Sequence, residues 1–190
     1  TIAATPHVSH RYPTAPAEME RAVRDVTAAL QDNGIPLRVL PGGELTIEMA
    51  TGLAADERDR FALGGRTGYL LVEFPYHGWP MDLGPLVGRL RGEGVTPVIA
   101  HPERSTDVRA DPERLRPLVE AGALLQVTAS SLDGGAGRET RAAALALVAA
   151  GLAPLLASDA HAPDVRRVGM SGSGSWATSR PAGCTWPRWS

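Results

Sequence analysis

Residues 154–161, Pro154-Leu155-Leu156-Ala157-Ser158-Asp159-Ala160-His161, read as an apolar strand that ends in a carboxylate and an imidazole two positions apart. Three other stretches repeat the plan. Ala3-Ala4-Thr5-Pro6-His7 ends in His7, Tyr69-Leu70-Leu71-Val72-Glu73 in Glu73, and Pro97-Val98-Ile99-Ala100-His101 in His101. In a barrel of parallel strands the strand C-termini converge on one face, where active sites sit. Imidazoles and carboxylates gathered there point to a metal centre.

Between these stretches the pattern alternates. Strands are predicted over 1–5, 35–40, 69–74, 95–100, 124–128 and 152–157. Helices are predicted over 17–31, where Met19, Ala22, Val23, Val26 and Leu30 keep a near-3.6 period, and over 53–63, 83–93, 112–121 and 138–150. Asn33-Gly34, Gly94 and Gly151 follow helix ends, Asp82 and Asp111 sit at N-cap positions, and Pro112 fits a first helical turn. The run Leu70-Leu71-Val72 has too little polarity for an exposed face, so both its faces are expected to be buried. Strand–helix alternation implies parallel pairing with right-handed crossovers. The fold class is α/β, a distorted TIM-like barrel that is incomplete, with about six βα units rather than eight. A doubly wound open sheet is the alternative, and ligands spread over several strand ends favour the ring.

Composition narrows the chemistry. A 190-residue chain is most simply one domain, and 43% hydrophobic with 21% charged residues is ordinary for a globular protein. The net charge of −2 offers no electrostatic case for nucleic acid or an anionic membrane. The single cysteine, Cys184, excludes an intrachain disulfide and a thiolate metal site, so any metal must be held by His, Asp and Glu. No apolar run is long enough to span a bilayer, and a cytoplasmic enzyme without membrane insertion is expected. The chain starts at Thr1 within what reads as a buried strand, so residues upstream are expected. The edge beside residues 1–5 would then be open and could support a homo-oligomer.

The candidate residues carry alternatives. Asp159 and His161 suit Mn, Fe or Zn, but could be a turn-capping aspartate beside a surface histidine. His101 could bind metal while Arg104 meets an anionic oxygen, or Arg104 could be a surface residue paired with Glu103. Glu73 ends an apolar run, where a carboxylate is costly unless paired or cation-bound. Glu44 follows Gly42-Gly43, glycines that would allow close backbone approach. His7 stands at the first strand end, and His10, Arg11 and Tyr12 follow in a loop that lines a pocket or faces solvent. His77 reads as a loop residue, and Arg166 with Arg167 as a phosphoryl clamp or a surface basic pair. Other chemistries lack support: there is no P-loop, and Gly172-Ser173-Gly174 lacks a strand–elbow–helix setting.

Several of these stretches resemble the polymerase-and-histidinol-phosphatase (PHP) superfamily, above all the bacterial tyrosine-protein phosphatases encoded with capsular and exopolysaccharide synthesis genes. The resemblance is carried by Thr1-Ile2-Ala3-Ala4-Thr5-Pro6-His7, Gly43-Glu44, Leu70-Leu71-Val72-Glu73-Phe74-Pro75, Thr96 to Arg104, Leu125 to Ser131 and Leu156-Ala157-Ser158-Asp159-Ala160-His161, in the family's order. It implies a distorted PHP barrel with up to three divalent metal ions, often manganese. Glu44, Glu73 and His101 would share one metal, Glu44 would bridge to another bound by Asp159, and His7 and His161 would help hold a third. Arg104 and Arg166 match phosphate-binding arginines, and with His10 they form the candidate catalytic set. The expected reaction is metal-assisted phosphomonoester hydrolysis, with arginines and cations neutralising the equatorial oxygens. The expected substrate is the phosphotyrosine tail of a bacterial tyrosine kinase; a small-metabolite phosphatase and a non-catalytic remnant are the rivals.

The resemblance also marks departures. The family's opening His-x-His strand and its loop aspartate are absent here, so the Glu44, Glu73, His101 site is expected intact and the other two depleted. The domain is expected to span 1–167. Residues 168–190, rich in Gly, Ser, Pro and Trp with no period, read as an aberrant or disordered tail.

Overall fold

A computed structural model describes residues 1–162. Arg166, Arg167 and the expected tail over 168–190 lie outside the described residues. Contacts gather into two units, Thr1–Glu73 with Met81–Val98, and Phe74–Pro80 with Ile99 onward.

The first unit runs β1 (Ile2–Ala3), β2 (His7–Val8), α1 (Pro16–Asp32), β3 (Val39–Leu40), β4 (Glu44–Leu45), α2 (Ile47–Gly52), α3 (Ala55–Asp59), β5 (Tyr69–Glu73), α4 (Leu83–Gly92) and the start of β6 (Thr96–Ala100). β1 pairs with β3, while β2, β4 and β5 pair in that order, all parallel. The expected strand ending at His7 is therefore two strands. Pro6 has no N–H for a ladder, and its carbonyl accepts from Glu44 N–H at 2.9 Å. Ile2 faces Val39 and His7 faces Glu44, so both short ladders keep one register across the interruption.

The strand expected over 35–40 is shorter for a similar reason. Ile35 N–H donates to Leu30 O at 2.9 Å and Leu37 N–H to Ile35 O at 2.8 Å, which spends those groups on the helix exit. Pro16 occupies the first turn of α1, where a missing N–H costs nothing. Leu70, Leu71 and Val72 are all buried, as the apolar run required. Past α4, Gly94 takes φ 78°, and Val95 N–H returns to Leu90 O at 2.8 Å. That left-handed exit needs glycine. Asp82 stands at the N-cap of α4, but its side chain makes no cap hydrogen bond.

The second unit continues with the end of β6, a 3-10 turn over Pro102–Arg104, α5 (Thr106–Ala110), a second 3-10 turn over Pro112–Leu115, α6 (Arg116–Glu120), β7 (Leu124–Thr128), α7 (Ala129–Asp133), α8 (Arg138–Ala149) and β8 (Leu155–Ala157). β7 and β8 are parallel, with Thr128 opposite Ala157. The helix expected over 112–121 starts as the 3-10 turn, and Asp111 caps it by accepting from Glu113 N–H at 3.2 Å. The strand expected over 152–157 begins late because Leu152 and Ala153 N–H both bond Leu147 O, finishing α8. Ile99, Val108, Leu115, Leu125 and Leu147 form this unit's core. Among the described residues no helix is long and apolar enough to cross a membrane. The parallel α/β class predicted from the alternation is the one observed.

Candidate metal centre

Strand register brings three donors together in the first unit. His7 and Glu44 are ladder partners, and Glu44 is the partner of Leu71. Side chains two apart on a strand share a face, so Glu73 falls on the side of Leu71 and hence of Glu44 and His7. His7 Nδ1 lies 3.7 Å from Glu44 Oε2 and 3.8 Å from Glu73 Oε2. One donor atom from each of the three lies within 4.8 Å of the others. Two carboxylates and an imidazole at this spacing fit a divalent cation such as Mn, Fe or Zn. Glu44 is 4% exposed, and a carboxylate so placed is stabilised by positive charge.

The surroundings hold this geometry. Thr14 Oγ1 donates to His7 O at 3.0 Å, and the His7 ring stacks on Tyr12 at 5.8 Å. Beside Glu44, a Cβ on Gly43 would meet Phe61 Cδ1 at 2.7 Å and Val8 Cγ2 at 3.0 Å. Close approach at Gly43 thus comes from two core side chains. His10 is exposed in the bend after β2, outside this triad.

The second unit gathers the other candidates. His101 leaves β6 with φ 36° and ψ 48°, 3% exposed, and its N–H donates to Gln126 O at 2.8 Å. Asp159 has φ 49°, past the end of β8. Among the described residues only these two and Arg66 are non-glycine residues with positive φ. Such conformations cost about 1–3 kcal/mol and gather at functional sites. The expected strand alternation at Asp159 and His161 gives way to this turn, which still places His161 Nδ1 3.0 Å from Asp159 O and 3.7 Å from Asp159 Oδ1.

Arg104 joins these residues. Its Nη1 lies 2.7 Å from Asp159 Oδ2, and Nη2 donates to Thr128 Oγ1 at 2.9 Å. Burial pulls the guanidinium pKa down, but the Asp159 hydrogen bond and charge and a Tyr76 hydrogen bond outweigh it, so Arg104 is held above its ordinary value. It is a fixed cation with an 11% exposed side chain, paired with Asp159. Glu103 points inward at 0% exposed, its Oε1 accepting from Thr128 N–H at 2.9 Å and Ser131 Oγ at 2.7 Å. Tyr76 stacks on His101 with centroids 6.0 Å apart and planes at 3°. Sequence reasoning gave Thr128, Ser131 and Tyr76 no role, and Glu103 only that of a surface partner for Arg104, whereas it is buried and accepts from Thr128 and Ser131. For Tyr76 the available signal was an aromatic three residues beyond a carboxylate at a strand end.

Fold and donor sets define a parallel α/β protein whose strands carry imidazole and carboxylate groups that could hold a divalent cation. The chain belongs to the family described as capsular polysaccharide synthesis, CpsB/CapC, which matches residues 1–181. It is 42% identical over 164 residues to the tyrosine-protein phosphatase YwqE of Bacillus subtilis, covering 85% of this chain and 63% of that protein. It is 32% identical over 163 residues to the putative tyrosine-protein phosphatase CapC of Staphylococcus aureus, covering 84% of this chain and 63% of that one. The chain thus spans a little under two thirds of the length of these relatives. A crystal structure from work on YwqE from Bacillus subtilis and CpsB from Streptococcus pneumoniae, described as unique metal-dependent tyrosine phosphatases, superposes with a TM-score of 0.81 at 38% identity. That match covers 90% of this chain and 69% of the other.

Proposed function

We propose that this protein hydrolyses phosphotyrosine monoesters on protein, using divalent metal ions, manganese foremost. The His7, Glu44, Glu73 cluster within a CpsB/CapC chain carries the reading. Those residues would hold metal in the first unit; His101, Asp159 and His161 are the ligands offered by the second. A bound divalent cation would supply Lewis acidity and lower the pKa of water toward neutrality. Arg104 binds and neutralises phosphoryl oxygens with its planar fork, and Arg166 is the second arginine proposed for that task. Thr128 and Asp159 keep the Arg104 guanidinium oriented before substrate arrives, which spares the reorganisation that a loose arginine would need.

The proposed substrate is the tyrosine-phosphorylated tail of a bacterial kinase, in the cytoplasm, with capsular or exopolysaccharide synthesis as the process regulated. Family membership and the names of the relatives support the phosphotyrosine and capsule parts of this reading. The test is manganese-stimulated release of phosphate from a phosphotyrosine peptide, with histidinol phosphate and His101→Ala as comparisons. Turnover of the peptide that needs both manganese and His101 is expected. Hydrolysis of histidinol phosphate alone, or manganese-independent turnover, would refute the reading.

A further inference from the structure

Tyr76 is 45% exposed although one face of its ring lies on the His101 imidazole. Its position is not that of a loose loop residue. Thr106 N–H donates to Tyr76 O at 2.9 Å, fixing the backbone, and the Tyr76 side chain is near enough to Arg104 to help hold its guanidinium charged. Phe74 and Trp79 meet edge to face at 5.7 Å, bracing the segment on both sides of Tyr76. One residue therefore joins an open aromatic surface, a candidate metal-ligating imidazole and the arginine proposed to hold phosphate.

We propose that Tyr76 makes the site selective for aryl over alkyl phosphate monoesters: its ring packs against the ring of the substrate while its hydroxyl holds Arg104. In an aryl phosphate the ring begins one ester oxygen from phosphorus. A wall beside the phosphate-binding arginine is within reach of that ring, and an alkyl ester offers nothing to stack. Aromatic pairs prefer such offset or edge contacts and gain from them beyond simple burial. The inference rests on the phosphatase reading above and adds the residue that selects the alcohol side of the ester.

The experiment compares phenyl phosphate with ethyl phosphate as substrates, and phenylphosphonate with methylphosphonate as calorimetric ligands, on manganese-loaded protein. Tyr76→Leu should raise KM for phenyl phosphate about 3–10-fold, from the usual worth of an aromatic contact, and leave KM for ethyl phosphate within about two-fold, with matching changes in phosphonate affinity, while kcat falls alike on both esters because the phenol is gone. Tyr76→Phe should keep the aryl preference in KM and lower kcat for both esters, because Arg104 loses the phenol. An equal change in KM on both esters in Tyr76→Leu, with phenylphosphonate affinity unchanged, would overturn the inference alone. If Tyr76→Leu unfolds, Tyr76→Phe decides, since loss of the preference with the ring kept overturns it. A wild-type chain that hydrolyses neither ester overturns the phosphatase reading and this inference with it.

Discussion

Replacing Glu103 by alanine should destabilise the second unit by about 2–6 kcal/mol, and replacing it by glutamine by about half as much. Glu103 is fully buried, and one oxygen accepts both the Thr128 N–H and the Ser131 hydroxyl. Both donor residues are themselves 0% exposed. Removing the carboxylate leaves two buried donors without an acceptor, at about 1–3 kcal/mol each. Water entering the space would bring the loss toward the lower figure. Glutamine keeps an oxygen in place and loses only the charge assistance, which is about half the strength of each bond. Against a usual stability of about 5–15 kcal/mol, the alanine loss is large. Urea titration followed by circular dichroism measures it as a fall in midpoint at constant slope. Activity should fall in parallel, because Glu103 ties the His101–Arg104 turn to the end of β7. A Glu103→Ala loss under about 1 kcal/mol, or an equal loss in Glu103→Gln, would refute this reasoning, since acceptor removal is its only large contribution.

Gly43→Ala should cost about 1–3 kcal/mol by overpacking, because the new methyl meets Phe61, which is 1% exposed and has little room to move. A wild-type urea midpoint in that variant would show that the Val8–Phe61 contact yields freely. Manganese should raise the melting temperature, by about 2.7 kcal/mol equivalent at a hundredfold excess over its Kd, and Glu44→Gln or Glu73→Gln should shrink that rise; an undiminished rise would remove these residues from the site. The Glu20–Arg60 pair predicts a small pH-dependent effect. The Arg60 hydrogen bond holds the Glu20 pKa below its ordinary value against slight desolvation. Its stabilisation is therefore present above the unfolded carboxylate pKa and is lost as pH falls through the lower folded value. Arg60→Gln should thus weaken the fold slightly at neutral pH and not at all once pH has fallen below the lowered folded value, with the difference shrinking in salt; a loss that persists in acid would contradict it.

Long, strongly patterned elements were legible without coordinates. The period of Met19, Ala22, Val23 and Val26 marked α1, observed as Pro16–Asp32, and the apolar run before Glu73 marked β5 and its burial. Helices α2, α5 and α7 were missed. Each has five or six residues, too few turns to display a 3.6 period. Strand limits failed where proline or a helix exit consumed backbone groups, at Pro6, at Ile35 to Leu37 and at Leu152 to Ala153. No local propensity reports where those hydrogen bonds go.

The same division runs through the candidate site. Sequence alone determined which candidate donors follow apolar runs, because a carboxylate or imidazole after such a run is visible by position. It therefore named His7, Glu73, His101, Asp159 and His161, while the glycines before Glu44 and the turn after His101 drew attention to Glu44 and Arg104, and it indicated the α/β class. Tertiary structure decided which of them meet. Register across β2, β4 and β5 aligned His7 with Glu44 and put Glu73 on their face. Positive φ at His101 and Asp159 turned those residues off their strands, and the Arg104 partners Asp159 and Thr128 come from two other segments. Register and such contacts are long-range: they depend on which backbone groups remain free after turns and helix exits have used theirs, and that is settled only when the chain has folded.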